Sequence, residues 1–95
     1  MVGDVYCCDA VGVDGKLIND GQAVANVEMS ECDVTFLKCA ALGNSDKDGK
    51  FSFVSTRPGT THYLKLVHAG FNQDHVVVTL RRKGKGLHLK LYVAA

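Results

Sequence analysis

The sequence lacks the features that are typical of membrane-spanning, nucleic-acid-binding or long helical proteins. No apolar run approaches the roughly 20 residues that span a bilayer. The 11 Lys and Arg residues nearly balance the 10 Asp and Glu residues, which gives a net charge of +1 and no general attraction to nucleic acid. The chain has a single proline, and no segment keeps a capped 3.6-residue hydrophobic period, so long helices are not expected.

The four cysteines lack a familiar metal or redox spacing. No two of Cys7, Cys8, Cys32 and Cys39 are separated by two residues, as zinc knuckles and thioredoxin-like motifs require. An even number in a short chain is compatible with disulfides and equally with four reduced, mostly buried thiols. If the protein is extracellular, we expect Cys32 to pair with Cys39, because they flank a short connection between two strands that should be antiparallel neighbours.

The sequence has, instead, short segments in which apolar and polar residues alternate. In residues 62–67, Leu64 and Leu66 face away from Tyr63, and residues 87–93 alternate most clearly of all. Further segments at 2–13, 23–30, 34–42, 51–55 and 74–80 bring the total to about seven strands, at a spacing typical of sandwiches and barrels. We therefore predict one all-β domain over residues 1–95, a seven-stranded antiparallel β-sandwich.

The segment from Asn44 to Phe53 contains the strongest turn signal. Asp48-Gly49 favours a tight turn, because Asp bonds its own backbone and Gly accepts positive φ without steric cost. Phe51 and Phe53 alternate with a serine directly afterwards, as in a half-buried strand. We predict that the chain folds back on itself here and that the two flanking strands pair in a register set by this turn.

The same turn carries part of a calcium-loop pattern. The first, third, fifth and sixth positions of the EF-hand loop are matched by Asn44, Asp46, Asp48 and Gly49. The last position, which requires a bidentate Glu, is Ser55, and no helices flank the segment. A turn with solvated carboxylates is the alternative, and we expect no cofactor.

The four histidines form no recognisable catalytic or metal-binding pattern. His62 and His68 share strand parity, but six residues span about 20 Å along a strand, which is too far for one metal ion. No Ser-His-Asp or Cys-His arrangement can be argued from the spacing of His75, His88 or the others. We expect surface or hydrogen-bonded histidines and a protein that is not an enzyme.

The most concentrated charge lies in one glycine-punctuated loop, which contains Arg81, Arg82, Lys83 and Lys85. Such a loop can bind an acidic polysaccharide, phospholipid headgroups or an acidic protein surface. It lacks the interleaved exposed aromatics that suit single-stranded nucleic acid, so no nucleic-acid partner is expected. The alternative is an ordinary solvated hairpin loop.

Four motifs follow one another in a familiar order: Gly21 to Met29, Asn44 to Phe53, Pro58 to Leu66 and Ala69 to Phe71. This order resembles that of the prealbumin-like β-sandwiches, which include transthyretin-like and carboxypeptidase regulatory-like domains. The resemblance covers roughly residues 10–94. It implies seven strands in a Greek key, an extracellular setting, and binding or scaffolding instead of catalysis.

A second resemblance concerns the N-terminal region. Gly3-Asp4-Val5-Tyr6-Cys7, followed later by Val27 to Cys32, is similar to the pollen Ole-e-1-like proteins. Cys8 follows Cys7 directly and no cysteine lies beyond Cys39, so that family's disulfide pattern does not transfer, although the implied fold is similar. The chain ends in Tyr92-Val93-Ala94-Ala95, whereas hydroxyisourate hydrolases of transthyretin fold end in tyr-arg-gly-ser, so that activity is not supported.

These features together predict an extracellular binding module that recognises a ligand or partner through loops at one end of the sandwich. The segment from Arg81 to Lys85 is the leading patch. The alternative is a structural accessory domain, or a sandwich that self-associates through a sheet edge. Met1 to Asp4 lacks the basic and apolar regions of a signal peptide. Either the protein is cytosolic, or the sequence is a mature domain with an added Met1, and we favour the second.

Overall fold

The computed structural model describes residues 1–8, 10–11, 14, 17–18, 21–80 and 86–92, and these contain ten strands and no helix. The strands are β1 (Val2–Cys7), β2 (Ala10–Val11), β3 (Leu17–Ile18), β4 (Gln22–Ala23), β5 (Glu28–Cys32), β6 (Cys39–Asn44), β7 (Lys50–Ser52), β8 (Thr61–Val67), β9 (Asp74–Thr79) and β10 (Leu87–Leu91). The all-β prediction is therefore confirmed for the described part of the chain. No helix that is long and apolar enough to span a bilayer occurs there.

The longer strands form two four-stranded sheets. In the first sheet, β1 pairs in parallel with β10 and antiparallel with both β4 and β7. The second sheet has the order β6-β5-β8-β9 and is antiparallel throughout. The strands β2 and β3 form a separate two-stranded pair.

Residues from both sheets share one hydrophobic core, so the sheets pack face to face as a sandwich. The first sheet contributes Val5, Cys7, Phe51, Leu89 and Leu91, and the second contributes Met29, Leu64, Leu66 and Val78. Along β8, Leu64 and Leu66 are buried while Tyr63 and Lys65 lie on the outer face, which confirms the alternation predicted for this segment. Burial of the inward residues is the main force that holds the sheets together.

The predicted hairpin around Asp48-Gly49 is wrong, because the two flanking strands do not pair with each other. The turn itself forms: Asp46 Oδ1 accepts the backbone N–H of Asp48 at 2.8 Å and that of Lys50 at 2.9 Å, and Gly49 has φ +73°. However, β6 pairs with β5 in the second sheet, whereas β7 pairs with β1 in the first. The turn therefore carries the chain from one sheet to the other.

A second crossover, between β4 and β5, lies directly beside this turn. The buried Ser45 hydroxyl donates to Val24 O at 2.7 Å and accepts the Val27 N–H at 3.0 Å. Asn26, between these residues, has φ +59°, and its N–H donates to Ser45 O at 3.0 Å. Ser45 thus satisfies the backbone of the bend that interrupts the strand predicted over residues 23–30.

The strand predicted from residue 34 begins only at Cys39, because residues 33–38 form a loop. Cys32 and Cys39 face each other across β5 and β6, with 3.9 Å between their Cα atoms, and are joined by a disulfide. This pairing confirms the prediction for these two cysteines. The structure also pairs Cys7, whose side chain is buried, with the half-buried Cys8.

We predict that the double variant Cys32→Ser/Cys39→Ser is less stable than the native chain by about 2.5 kcal/mol, because the disulfide closes a short loop and restricts the unfolded chain. Guanidinium unfolding under oxidising conditions measures the difference. In excess reductant, the native chain and the variant should become equally stable. Equal stability before reduction would contradict the prediction.

Candidate functional site

Several connections of the two sheets meet at one end of the sandwich. In the second sheet, β5 and β9 end there, while β6 and β8 begin there, since Cys32 pairs with Cys39 and Tyr63, and Thr61 pairs with Thr79. Residues 33–38 connect β5 to β6 at that end, and residues 53–60 lead there from β7 of the first sheet to β8. Leu80 donates its N–H to Thr60 O at 2.7 Å, and a Cβ on Gly86 would lie 3.4 Å from Val2 O. We call the surface formed by residues 33–38, 53–60, 80 and 86 the basic end.

The loop of residues 33–38 is closed by its own hydrogen bonds. Asp33 Oδ1 accepts the Thr35 hydroxyl at 2.7 Å and the Leu37 N–H at 3.2 Å, and Asp33 N–H donates to Lys38 O at 2.9 Å. The hydrogen bond from Thr35 is the largest cause of a lowered pKa of Asp33, so the carboxyl group stays charged. Phe36, at φ +59°, stacks on His75 with ring centroids 4.6 Å apart and anchors the loop to the outer face of the sheet.

An open groove lies beside this loop and carries two cations. It is lined by Glu31, Lys38, Cys39, Ala40, Thr56 and Arg57. Neither the Lys38 ammonium nor the Arg57 guanidinium forms an ion pair with any residue that the structure describes. Both side chains belong to exposed residues. Their charge therefore faces solvent and is available to an anionic partner.

Beneath the groove, Glu31 of β5 and His62 of β8 form a fully buried pair within the second sheet. Glu31 Oε2 contacts His62 Nδ1, and Glu31 Oε1 accepts the Thr56 N–H at 2.7 Å and the Thr56 hydroxyl at 2.9 Å. The Ser55 hydroxyl lies 3.1 Å from both carboxylate oxygens. The pair therefore fastens the segment of residues 53–60 to the ends of β5 and β8.

The pKa of Glu31 follows from its hydrogen bonds. Burial raises the pKa of Glu31, but the hydrogen bonds from His62, Thr56 and Ser55 outweigh burial, and the pKa lies below its ordinary value of 4.5. His62 Nε2 lies 2.9 Å from Gly59 O, which can only accept. The Nε2–H group therefore donates to Gly59 O, while Nδ1 faces the Glu31 carboxylate.

This arrangement differs from the hydrogen-bonded chain of a serine hydrolase. Ser55 Oγ and Glu31 Oε2 both approach the same nitrogen, His62 Nδ1, and the other nitrogen is bonded to a backbone carbonyl. In a catalytic triad, the serine and the carboxylate contact opposite nitrogens of the ring. The contacts of this cluster therefore differ from those of a triad, and they hold the segment of residues 53–60 against β5 and β8.

The residues predicted as sites have different positions. Arg81, Arg82, Lys83 and Lys85 lie outside the described residues. Asp46, the central residue of the calcium candidate, caps the turn between the sheets, and Asp48 and Asn44 are exposed beside it. Within the described residues, no group of three or more His, Cys, Asp or Glu side chains has the geometry to hold a metal ion.

The other three histidines lie apart from the buried pair. His88 Nδ1 contacts Asp4 Oδ2 at 2.8 Å, and its ring stacks on Tyr6 at 3.9 Å. His75 contacts Gln73 Nε2 at 2.9 Å in addition to its stacking with Phe36. His68 donates from Nδ1 to Ala69 O at 2.8 Å. Each ring thus has a local partner, and the rings do not converge on one site.

Sequence reasoning did not single out Glu31, Lys38 or Arg57, and it considered His62 only beside the other histidines. The buried pair had a readable signal, since Glu31 shares the inward parity of Met29, and His62 shares that of Leu64. A charged residue on the inward face of a strand normally needs a partner. Lys38 and Arg57 are single cations in loops, and no pattern distinguishes them.

No protein-family model, curated protein or solved structure matches this chain.

Proposed function

We propose that this protein is an extracellular, non-enzymatic binding module that recognises an anionic partner through its basic end. The observation that carries the proposal is the convergence of loops there, which brings Lys38 and Arg57 together at one groove. Leu80 and Gly86, the described residues on either side of Arg81 to Lys85, also lie at this end. Lys38, Arg57 and the four cations of residues 81–85 make up six of the 11 Lys and Arg residues of the chain.

The extracellular location and the prealbumin-like Greek-key architecture are parts of the same proposal. They are supported by the Cys32–Cys39 disulfide, since disulfides persist mainly in oxidising compartments. The two four-stranded sheets around one core and the order of the motifs from Gly21 to Phe71 support the architecture. The engagement of both His62 nitrogens supports a binding role over catalysis.

Retention on heparin, a sulfated anionic glycan, tests the proposed function. The native chain should bind at low salt, and Lys38→Ser/Arg57→Ser should elute at lower salt, because each lost cation removes one screened attraction. Replacing Arg81, Arg82, Lys83 and Lys85 by serine should reduce retention further. Circular dichroism of each variant confirms that it folds.

The matched control is Lys47→Ser/Lys50→Ser, which removes the same charge from the opposite end of the sandwich, where β6 ends and β7 begins. Retention of this control should equal that of the native chain. Failure of the native chain to bind, or an equal loss in the control, would overturn recognition by the basic end.

Self-association through a sheet edge is the second candidate. The strand β9 pairs with β8 on one side, and in the described part of the chain its other side has no partner strand. Its residues Asp74–Thr79 include three successive valines, and Val77 is exposed. Such an edge is a template for another strand. Concentration-dependent association in sedimentation, without heparin binding, would favour this candidate.

A further inference from the structure

Exposed apolar side chains are concentrated at the same end as the cations. The described residues include six large hydrophobic side chains that are largely exposed: Val2, Val34, Leu37, Val54, Val77 and Tyr92. Val34, Leu37 and Val54 lie in the segments of the basic end and are 68%, 84% and 89% exposed. Val2 lies beside Gly86 at the start of β1. Exposed apolar groups that share one surface mark an interaction site more often than scattered ones do.

The loop that presents Val34 and Leu37 is held in one conformation from three sides. The Cys32–Cys39 disulfide closes its base, and Asp33 bonds the loop backbone and the Thr35 hydroxyl. Phe36 fills the space beneath it, edge-on to Tyr63 at 5.6 Å and stacked on His75. A loop fixed before binding loses little entropy when it meets a partner.

We propose that the basic end docks on the surface of an anionic lipid bilayer, with Val34, Leu37 and Val54 inserted at the boundary between headgroups and acyl chains. Lys38 and Arg57 then lie at the level of the lipid phosphates, where each cation adds attraction that fades with salt. This inference rests on the proposed function, since it names the anionic partner of the same surface.

The apolar residues favour a bilayer over the other anionic partners. A sulfated glycan offers charge and hydroxyl groups, and it leaves Leu37 and Val54 in water. A bilayer accepts both kinds of group at once, because its interface combines anionic headgroups with apolar chains a few ångströms deeper. A bilayer can accept apolar side chains from both segments, residues 33–38 and 53–60. It needs no shaped pocket for each side chain, as a protein partner would.

Co-sedimentation with vesicles tests this inference, using phosphatidylcholine alone and phosphatidylcholine mixed with phosphatidylserine. The native chain should bind the mixed vesicles at low salt. Val34→Ser/Leu37→Ser should bind them about tenfold more weakly or worse, because two apolar side chains no longer leave water. The variant should keep its heparin retention, since all cations remain. The matched control is Tyr92→Ser, which removes an exposed aromatic from the opposite end.

A fluorescent reporter gives a direct readout of insertion. The chain has no tryptophan, so Leu37→Trp introduces a single tryptophan in the loop of residues 33–38, which can be excited selectively over the three tyrosines. Its emission should shift to the blue on addition of mixed vesicles, whereas that of Tyr92→Trp should stay unchanged.

Each outcome decides the inference. Heparin binding by the native chain without vesicle binding would overturn membrane docking and leave the proposed function standing, with a glycan or acidic protein as partner. Equal vesicle binding by native chain and Val34→Ser/Leu37→Ser, or no shift of the Leu37→Trp emission, would also overturn it. Failure of the native chain on both heparin and vesicles would overturn the proposed function itself.

Discussion

Glu31→Ala is expected to lower the free energy of unfolding by about 3–5 kcal/mol, since removal of one member of a buried, hydrogen-bonded pair leaves the other without its partner. The variant deprives His62 of its anionic partner and leaves the Thr56 N–H and hydroxyl without their acceptor. The His62 ring then stays buried without its carboxylate partner, which is the costly part of the change. Urea unfolding measures the loss.

Glu28→Ala is the matched control, because Glu28 lies on the same strand with its side chain exposed. We expect its effect to stay within about 0.5 kcal/mol, as for most surface substitutions. If Glu31→Ala lost no more stability than Glu28→Ala, the stabilising role of the buried pair would be contradicted.

The loss in Glu31→Ala should also depend on pH. The pKa of Glu31 is lower in the folded protein than its ordinary value of 4.5, because its hydrogen bonds outweigh the effect of burial. A group of this kind stabilises the fold above its unfolded pKa, and the contribution disappears as the pH falls through the folded pKa. The difference between the native chain and the variant should therefore be full above pH 4.5 and shrink below it.

Gly49→Val is expected to destabilise the fold by at least about 3 kcal/mol, for two reasons that add. Gly49 has φ +73°, a conformation that a β-branched residue rarely adopts. In addition, a Cβ at this position would lie 2.6 Å from Val5 O and 3.0 Å from the Val24 nitrogen. Val5 O and Val24 N are themselves hydrogen-bonded at 3.0 Å, so relief of the contact must disturb the first sheet.

Gly70→Val separates the two causes. Gly70 has φ +86°, but nothing lies within 4 Å of the Cβ that would be added. This control should lose only the strain energy of the backbone, about 1–3 kcal/mol. Thermal and urea unfolding of both variants gives the comparison. A Gly49→Val variant that is no less stable than Gly70→Val would contradict the importance of the close approach.

The sequence predicted the strands whose two faces differ in environment, but it did not predict which strands become neighbours. Alternation around Leu64 and Leu66 identified β8, because one face meets the core and the other meets solvent. The turn at Asp48-Gly49 was identified through local chemistry. That chemistry does not determine which strands pair with β6 and β7 on either side of the turn. Pairing of β7 with β1 depends on residues 3 and 51 meeting across the first sheet, a contact between positions far apart in the chain.

The same limit explains the candidate site. Glu31 and His62 are separately visible as polar residues on inward faces. Their meeting requires β5 and β8 to be neighbours, although β6 and β7 lie between them in the chain. The convergence of residues 33–38 and 53–60 likewise follows from sheet order. The cluster at Arg81 to Lys85 was conspicuous because its charges are adjacent in sequence, whereas Lys38 and Arg57 become neighbours only in the folded chain.

The parallel pair of β1 and β10 has a consequence for synthesis of the protein on the ribosome. It joins Gly3 to Leu87 and Asp4 to His88, residues that are 84 positions apart. Strands within residues 28–79 form the whole second sheet, so this sheet can assemble before β10 joins β1. Until Leu89 and Leu91 arrive, the nascent chain exposes both an apolar inner surface and the open edge of β1. That edge is where a chaperone, or another nascent chain, would bind first.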